Sequence, residues 1–366
     1  MKVLQVINSL RIGGAERLIL DSSDLYHNRG INIEILLLDD NESAFRKELQ
    51  EKYPHIRIQG ITKKSIYNPL LIFRIIPFLK NIDILHLHLF PTLYWGVFAK
   101  IVSLSKIKIV YTEHNTHNRR RNNKILSIVD KIVYKYINHV GCITDSVADE
   151  LLSYLGKQSH LQVSVIYNGI YLEQFKGIEK NNVLVNCGIE KKENDTIIVQ
   201  ISNFKKQKDQ ETLIRSISLL PDSFKLLLVG DGENRKVCEL LVEQLNLSKQ
   251  VFFLGQRTDV VEIMSFVDIV VLSSHWEGFG LAIVEGMAAG KPVIVSDVIG
   301  LANIVDGYGL VFEKGNHIDL SKKIMFLKNK ENYDEFAQKC LLRASEYDIT
   351  FMVDQYIELY KKVLLD

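Results

Sequence analysis

The stretch Ser273–Asp297, SSHWEGFGLAIVEGMAAGKPVIVSD, decides the fold class. An apolar, β-branched run, Val267–Ser274, leads into it and is typical of a strand buried in a parallel sheet. After a glycine-rich turn, Leu281–Ala289 has helical spacing, and Gly290 is the expected helix stop. A second apolar run, Val293–Val295, follows. This order of strand, loop, helix and strand predicts an α/β fold.

Two glutamates in this stretch, Glu277 in the loop and Glu285 eight residues later, indicate that it binds a sugar nucleotide. A carboxylate accepts hydrogen bonds from two neighbouring hydroxyls at once, which suits the diols of a ribose or a hexose. Gly278, Phe279 and Gly280 bring the backbone to a helix N-terminus, where N–H groups favour an anion such as a diphosphate. The alternative is two solvated glutamates, but the apolar neighbours of Glu285 make an unpaired carboxylate costly there.

Composition predicts two domains and no nucleic-acid partner. The chain has 366 residues and a net charge of +1. Residues 1–170 carry 22 Lys and Arg against 15 Asp and Glu, whereas the remainder carries 23 against 29. The basic half suits an anionic membrane surface or a phosphate-bearing acceptor. Ordinary scatter of surface charges explains it equally well.

The cysteines and the first residues indicate a cytoplasmic protein. The four cysteines are far apart and form no metal-binding motif, as is usual in a reducing cytosol. Met1 and Lys2 lead directly into a strand instead of a signal peptide. No apolar run is long enough to span a bilayer. We expect no metal ion and no cofactor.

Candidate site residues in the N-terminal half follow predicted strands. Gly13 and Gly14 separate the strand Lys2–Ile7 from a helix, an arrangement that brings backbone N–H groups to a phosphate. His88 ends one strand and His114 follows the next, at the sheet edge where open α/β sheets bind ligands. The remaining candidates are Arg119 and Arg120, in a basic run that ends at Arg121. They suit a phosphate on an acceptor, although a solvated charge run is the default interpretation.

In the C-terminal half, the predicted strand Thr196–Ile201 opens a second domain. Lys208 in the loop after it is a point charge suited to a diphosphate, and Asn203 lies five residues earlier. Gly230 and Asp231 form a turn after the next predicted strand.

The segment HWEGFGLAIVEGMAAGKPVIVSD resembles the E-x7-E segment of the retaining glycosyltransferases of family 4, which have GT-B architecture. Four further stretches match the family: GGAER at Gly13, VSVIYNGIYLEQF at Val163, SNFKKQKDQETLIRS at Ser202, and the last helix. The resemblance implies two doubly wound Rossmann-like domains facing one another across a cleft. The C-terminal helix crosses back to the N-terminal domain. The expected boundaries are 1–170 with 347–366, a linker at 171–195, and a donor-binding domain at 196–346.

The resemblance also implies a function and residue roles. A hexose or N-acetylhexosamine passes with retention, without a metal ion, from a UDP-sugar rather than a GDP-sugar to an acceptor hydroxyl. Catalytic roles fall to His114, Lys208 and Glu277. The other donor-binding residues implied are Gly13, Gly14, Asn203, Gly230, Asp231, Arg257, Gly278, Phe279, Gly280, Leu281 and Glu285, while His88, Arg119 and Arg120 lie on the acceptor side. Asn203 stands where the family usually has an arginine, so either Lys205 or Lys206 supplies the missing charge or the site binds the diphosphate less strongly.

The implied pathway is bacterial surface polysaccharide synthesis. The acceptor is then a saccharide or a lipid-linked saccharide, and the protein works in the cytoplasm at the inner face of the membrane, with peripheral membrane contact. Two alternatives remain at this stage: a nucleotide-sugar epimerase of the same fold, and a non-catalytic nucleotide-sugar-binding protein.

Overall fold

The computed structural model describes residues 1–116, 118, 121, 123–156, 161–177, 189 and 191–366. The chain divides into two compact units. The first comprises Met1–Gly169 together with Ile349–Asp366, and the second comprises Ile170–Asp348. Each unit contains its own parallel sheet.

The first unit is built on a seven-stranded sheet in the order β3-β2-β1-β4-β5-β6-β7, with every pairing parallel. The strand order reverses between β1 and β4. The carboxyl ends of these two strands therefore form the edge at which such sheets usually bind ligands. The strands are β1 Lys2–Ile7, β2 Asn32–Asp39, β3 Arg57–Thr62, β4 Ile84–His88, β5 Lys108–Glu113, β6 His139–Cys142 and β7 Gln162–Val165.

Helices cover both faces of this sheet, because each parallel crossover places a helix on one face or the other. The helices of the first unit are α1 Gly14–Asn28, α2 Ala44–Lys52, α3 Leu71–Ile75, α4 Thr92–Val102, α5 Lys124–Tyr134 and α6 Asp145–Leu155, and α14 Ile349–Leu365 at the end of the chain. Contacts join α1 to α2 and to α14, and join α4 to both α3 and α5.

The last helix, α14, packs into the first unit through an aromatic face. Tyr356 and Tyr360 are buried, and their hydroxyls reach the buried residues Thr112 and His86 of the sheet. Gly141 of β6 leaves room for this contact, since a Cβ there would lie 2.8 Å from the Tyr356 hydroxyl. The helix is therefore part of the core of the first unit.

The second unit has a six-stranded parallel sheet in the order β10-β9-β8-β11-β12-β13. Its core is formed by aliphatic side chains of the strands and of the helices around them. The strands are β8 Thr196–Ile201, β9 Phe224–Val229, β10 Val251–Gly255, β11 Ile269–Leu272, β12 Val293–Ser296 and β13 Leu310–Phe312. The helices are α7 Gln210–Ile217, α8 Arg235–Gln244, α9 Val260–Phe266, α10 Leu281–Ala288, α11 Ile299–Val305, α12 His317–Phe326 and α13 Lys330–Ala344.

The structure confirms the α/β class and changes some local details. The strand expected over Val267–Ser274 is shorter, because only Ile269–Leu272 pairs as β11. Helix α6 is capped by Thr144, whose extended backbone lets its hydroxyl accept a hydrogen bond from the Val147 N–H at 3.3 Å. About half of the expected linker 171–195, namely residues 178–188 and 190, lies outside the described residues.

Candidate functional site

The loops after β8, β9 and β11 meet at the carboxyl edge of the second sheet, because β8 lies between β9 and β11. The N–H of His275, after β11, donates to the carbonyl of Gln207, after β8, at 2.7 Å. The N–H of Phe204, after β8, donates to the carbonyl of Asp231, after β9, at 3.0 Å. Backbone hydrogen bonds thus join three loops into one surface at the edge where open α/β sheets bind ligands.

Lys208 and Glu277 form an ion pair across two of these loops, between Nζ and Oε2. Their side chains are only 18% and 14% exposed. The Ser274 hydroxyl donates to Glu277 Oε2 at 3.4 Å, and the Gly278 N–H donates to Oε1 at 3.3 Å. Because an ammonium group has three N–H donors, Lys208 keeps capacity for a further anion such as a phosphate oxygen.

The backbone of Lys208 is fixed by two side chains of the sheet. The Gln200 amide donates to the Lys208 carbonyl at 2.9 Å, and the Ser273 hydroxyl donates to it at 3.2 Å. The next residue, Asp209, has φ 45° and caps α7 by accepting from the Thr212 N–H at 3.3 Å. Lys208 therefore lies in an ordered loop, which distinguishes it from a solvated surface lysine.

The glycine-rich turn after Glu277 is closely packed. Gly280 has φ 82° and is the N-cap residue of α10, where any side chain would meet Leu301 at 2.5 Å. Gly300, in α11, lies so near the turn that a Cβ there would be 2.0 Å from the Glu277 carbonyl oxygen. The contact between α11 and the turn thus holds the backbone of Glu277 in place.

The remaining residues of this segment lie along α10. The Phe279 side chain is buried and packs edge-on against Tyr347, with ring centroids 5.4 Å apart, so only its backbone can face a ligand. Leu281 is the first residue of α10 and Glu285 lies one turn later, half-buried. The structure therefore places Glu277 before the helix and Glu285 within it, as the sequence predicts.

Two of the predicted donor residues, Asn203 and Gly230, lie side by side. Gly230 has φ 130°, and a Cβ there would lie 2.1 Å from the Ser202 carbonyl oxygen, so only glycine fits. The Asn203 side chain is exposed in the neighbouring loop. Asp231 follows Gly230, and its carboxylate lies 3.8 Å from the Arg235 guanidinium. The structure brings these residues close to Lys208 along the same edge of the sheet.

Arg257, one of the predicted donor-binding residues, forms an ion pair within its own loop. Its Nε donates to Asp259 Oδ1 at 2.8 Å, and its second nitrogen contacts the other carboxylate oxygen. This two-point pair lowers the pKa of Asp259 below its usual range. Arg257 therefore stabilises the start of α9. Because its side chain is paired with Asp259, a ligand at this loop would contact the backbone from Gly255 onwards.

In the first unit, the predicted turn Gly13–Gly14 precedes α1 as expected. Gly13 is the N-cap residue and has no side-chain cap. The space where its Cβ would lie is filled by the Glu16 carboxylate, 2.3 Å from that position. A carboxylate in the first turn already complements the helix dipole, which is a local feature that the sequence analysis missed.

Three histidines form a chain at the carboxyl ends of β4 and β5. His88 Nδ1 and His114 Nε2 are 3.3 Å apart, so the two predicted histidines do lie together. The His86 ring contacts His88 in a tilted arrangement, with centroids 4.1 Å apart. His86 also forms hydrogen bonds at both ring nitrogens, with the Tyr360 hydroxyl at 2.6 Å and the Thr112 hydroxyl at 2.8 Å. Buried hydrogen bonds and a ring contact thus connect helix α14 to His114.

A small cavity of about 20 Å³ adjoins this chain. It is lined by the three histidines, by Gln5 and Asn168, and by side chains of α1 and α14. Among the described residues, His88 Nε2 and Gln5 Oε1 find no hydrogen-bond partner although both are buried. The cavity is large enough for one water molecule, which would satisfy these two atoms.

The sequence of this chain resembles those of known protein families. A model of glycosyl transferases group 1 matches residues 188–341, and a model of glycosyltransferase family 4 matches residues 12–174. An uncharacterized glycosyltransferase of Methanocaldococcus jannaschii is 31% identical over 85% of this chain and 86% of its own length. The chain belongs to the group 1 glycosyltransferases.

Two further relatives of this glycosyltransferase carry names that state different activities. N-acetyl-alpha-D-glucosaminyl L-malate synthase of Bacillus anthracis is 28% identical over 78% of this chain and 76% of its own length. An N,N'-diacetylbacillosaminyl-diphospho-undecaprenol alpha-1,3-N-acetylgalactosaminyltransferase of Campylobacter jejuni is 30% identical over 66% and 64%. The fold matches that of Anabaena Alr3699/HepE in complex with UDP-glucose, with a TM-score of 0.86, 23% identity and coverage of 99% and 100%.

A buried charge network in the glycosyltransferase was missed by the sequence analysis. The Glu113 carboxylate is fully buried and receives hydrogen bonds from the Arg121 guanidinium and from the Tyr134 hydroxyl, each at 3.0 Å. The Arg121 side chain is 9% exposed and also lies over the Tyr154 ring. The default interpretation of Arg121 as part of a solvated charge run is therefore wrong, because Glu113 and Tyr154 enclose it.

The other two arginines of that run, Arg119 and Arg120, lie outside the described residues. Within the described part of the chain, no group of three or more His, Cys, Asp and Glu is placed to hold a metal ion. A search of the same residues for a helix long and apolar enough to cross a membrane found none.

The buried histidines predict how stability of the glycosyltransferase depends on pH. Burial lowers the pKa of His86 to about 3 and that of His114 to about 4, and also lowers that of His88. Unfolded histidines titrate near ~6.5, so between about pH 4 and 6.5 the unfolded chain binds more protons than the folded chain. We expect the free energy of unfolding to fall as pH decreases through this range.

Urea unfolding at several pH values between 7 and 4.5 measures this dependence. His86→Gln removes one of the three groups and should make the slope of stability against pH shallower. The control Leu104→Gln, at an exposed position without a titratable side chain, should leave the slope unchanged. An equal slope in both variants would show that the histidine chain does not cause the effect.

Proposed function

We propose that this glycosyltransferase moves a hexose or N-acetylhexosamine from a nucleoside-diphosphate sugar, UDP rather than GDP, to an acceptor hydroxyl in bacterial glycan synthesis. We further propose that the transfer retains the anomeric configuration and uses no metal ion. The observation that carries the proposal is the Lys208–Glu277 pair, which places a cation and a carboxylate together beside the glycine-rich turn. The UDP-glucose complex of Alr3699/HepE, which has the same fold, supports the choice of donor.

The chemistry assigned to the pair follows from its charges. The bond between the anomeric carbon and the diphosphate breaks, the bond to the acceptor oxygen forms on the same face, and the acceptor proton passes to the leaving diphosphate. The Lys208 ammonium and the backbone N–H groups at Phe279–Leu281 stabilise the charge that develops on the diphosphate. Glu277 accepts hydrogen bonds from sugar hydroxyls, and Glu285 accepts them from the ribose.

The acceptor is assigned with the help of the relatives. The Campylobacter jejuni relative is named for a diphospho-undecaprenol acceptor, whereas the Bacillus anthracis relative is named for L-malate. We propose that the acceptor is a lipid-linked saccharide and that the protein therefore acts at the inner face of the membrane. The support for this choice is that the first unit carries a surface of exposed apolar and basic side chains. The roles of His114, His88 and the Gly13–Gly14 turn in the reaction remain predictions.

A panel of donors tests the proposal. Thermal unfolding is followed with UDP, GDP and their sugars, since a ligand present at about 100 times its dissociation constant adds roughly 2.7 kcal/mol of stability. Transfer from the donor that stabilises best is then followed by NMR, with and without EDTA. Inversion at the anomeric carbon, or loss of activity in EDTA, would contradict the mechanism. Stabilisation by GDP alone would contradict the choice of base.

Asn203 favours one competing function, a protein that binds a sugar nucleotide without transferring the sugar. The family usually has an arginine here, and the exposed Asn203 amide supplies hydrogen bonds but no charge. Lys205 and Lys206 are exposed in the same loop and are the cations available to replace it. Binding of UDP-sugars without hydrolysis or transfer, in the presence of lipid-linked acceptors, would favour this second function.

Glu285 provides a direct test of the nucleotide site. We expect Glu285→Ala to weaken UDP binding by about 10- to 100-fold, because a hydrogen bond to a charged group is worth roughly 1.5–3 kcal/mol. Isothermal titration calorimetry measures the affinity. Glu243→Ala on α8 is the matched control, an exposed helical glutamate whose loss should leave UDP binding unchanged. Unchanged affinity in Glu285→Ala would remove this residue from the site.

A further inference from the structure

Helix α5 presents an apolar stripe to solvent. Ile125, Ile128 and Ile132 are 74%, 62% and 45% exposed, and their spacing places them on one helical face. The opposite, buried face carries polar groups beside Val133. There Asp130 is fully buried and accepts a hydrogen bond from the Tyr94 hydroxyl at 2.7 Å, while Tyr134 donates to Glu113. A helix that buries its acid and exposes its isoleucines departs from the usual pattern, in which the apolar face turns inward.

The segment leading into α3 adds a second apolar cluster. Tyr67, Leu70 and Phe73 are 62%, 63% and 59% exposed. Both clusters flank the same helix, α4: the Trp95 ring N–H donates to the carbonyl of Ile66 at 2.9 Å, and the Tyr94 hydroxyl reaches the carbonyl of Leu126 at 3.4 Å. We call the six side chains together the α3–α5 surface: Tyr67, Leu70, Phe73, Ile125, Ile128 and Ile132.

The exposed charged side chains of residues 63–80 and of α5 are all basic. Residues 63–80 contain no Asp or Glu, and their basic residues Lys63, Lys64, Arg74 and Lys80 are exposed. On and after α5, Lys124, Lys131 and Lys135 are exposed on the isoleucine side, while the acid of this helix, Asp130, is buried. Exposed aliphatic and aromatic side chains ringed by lysines fit the interface of an anionic bilayer.

We infer that the α3–α5 surface docks on an anionic lipid membrane, with the isoleucines in the headgroup region and the lysines against lipid phosphates. This inference deepens the proposed function, since it names the surface by which a lipid-linked acceptor becomes accessible. It concerns the membrane alone, however, and its experiment needs neither donor nor acceptor. A failure of the proposed transfer reaction therefore leaves its outcome unaffected.

Vesicle flotation of the full chain tests the inference. The probes are vesicles containing phosphatidylglycerol and vesicles of pure phosphatidylcholine, each at low and high salt. We expect binding to the anionic vesicles only, and weaker binding at high salt. Charge reversal at Lys124, Lys131 and Lys135 should weaken it by about 100-fold or more, because each lysine near such a surface contributes roughly fivefold and the three contributions multiply.

Two apolar variants complete the experiment. Replacement of the isoleucines (I125S, I128S and I132S together) should abolish vesicle binding. The matched control V237S with L240S removes exposed apolar side chains from α8, which also carries Glu239 and Glu243, and should bind as the wild type does. Circular dichroism and cooperative thermal unfolding show that each variant is folded.

Three outcomes would overturn the inference. The first is equal binding to both kinds of vesicle. The second is unchanged binding in the isoleucine and lysine variants. The third is no vesicle binding, with a wild-type dimer that the isoleucine variant converts to a monomer in light scattering. That result would assign the surface to a second copy of the chain.

Discussion

Replacing Lys208 with methionine is expected to lower the rate of sugar transfer by about 100- to 1,000-fold, the usual effect of removing one electrostatic contact to developing charge. The Lys208 ammonium is held beside Glu277, and its backbone is fixed by Gln200 and Ser273. Methionine keeps the length and the apolar stem of the side chain but carries no charge. The change therefore removes the cation with little effect on packing.

Steady-state kinetics with a UDP-sugar donor measure the effect, and calorimetric unfolding measures stability. We expect kcat to fall far more than the melting temperature, because methionine keeps the packing of the stem and Glu277 keeps its hydrogen bonds from Ser274 and Gly278. Lys205→Met and Lys206→Met are matched controls in the same loop, at exposed positions. If either control loses as much activity as Lys208→Met, that lysine supplies the charge missing at Asn203.

Combining the change with Glu277→Gln separates the two roles. Lys208 is assigned to the diphosphate and Glu277 to the sugar hydroxyls, so the loss of either side chain should lower kcat/KM. The losses should be non-additive in the double variant, because the two side chains touch. Wild-type activity in Lys208→Met would show that this ion pair is structural. The function would then need another cation, and the case for transfer at this site would fail.

Much of this site was predictable from sequence, because the residues occupy loops whose place in the fold is fixed by strand order. Lys208 follows β8 and Glu277 follows β11, and these strands are neighbours in the sheet. The pattern of apolar runs therefore predicts that both loops lie at one edge. It does not predict the ion pair between them, since 69 residues separate the partners and the pairing depends on the packing of Gly280 and Gly300.

Features that depend on tertiary burial were not predictable. Arg121 ends a run of three arginines, a pattern that indicates a solvated segment, and nothing local shows that Glu113 lies buried beneath it. The isoleucines of α5 are equally misleading, since helical spacing normally identifies such residues as core. In both cases the usual assignment of charged residues to solvent and apolar residues to the core is reversed.

The largest loss of stability is expected when the buried ion pair between Arg121 and Glu113 is broken. Arg121→Met is expected to destabilise the first unit by about 3–5 kcal/mol, because it leaves the fully buried Glu113 carboxylate without its cation. For a unit of this size each kcal/mol shifts the melting temperature by roughly 2–4 °C, so we expect a decrease on the order of 10 °C. Differential scanning calorimetry measures it. Glu358→Gln, which breaks an ion pair with Lys361 that is 59% and 72% exposed, is the control and should change little.

The double variant Arg121→Met with Glu113→Gln shows whether the loss comes from the uncompensated charge. Glutamine keeps an acceptor for the Tyr134 hydroxyl, so the double variant should recover part of the stability lost in the single variant. Because Glu113 joins β5 to α5 through Tyr134, the network also orients the helix whose outer face carries the isoleucines. Loss of vesicle binding in Arg121→Met, with recovery in the double variant, would connect the buried charge to the membrane surface. A loss of less than about 1 kcal/mol would instead mean that water reaches Glu113 and that the network does not position α5.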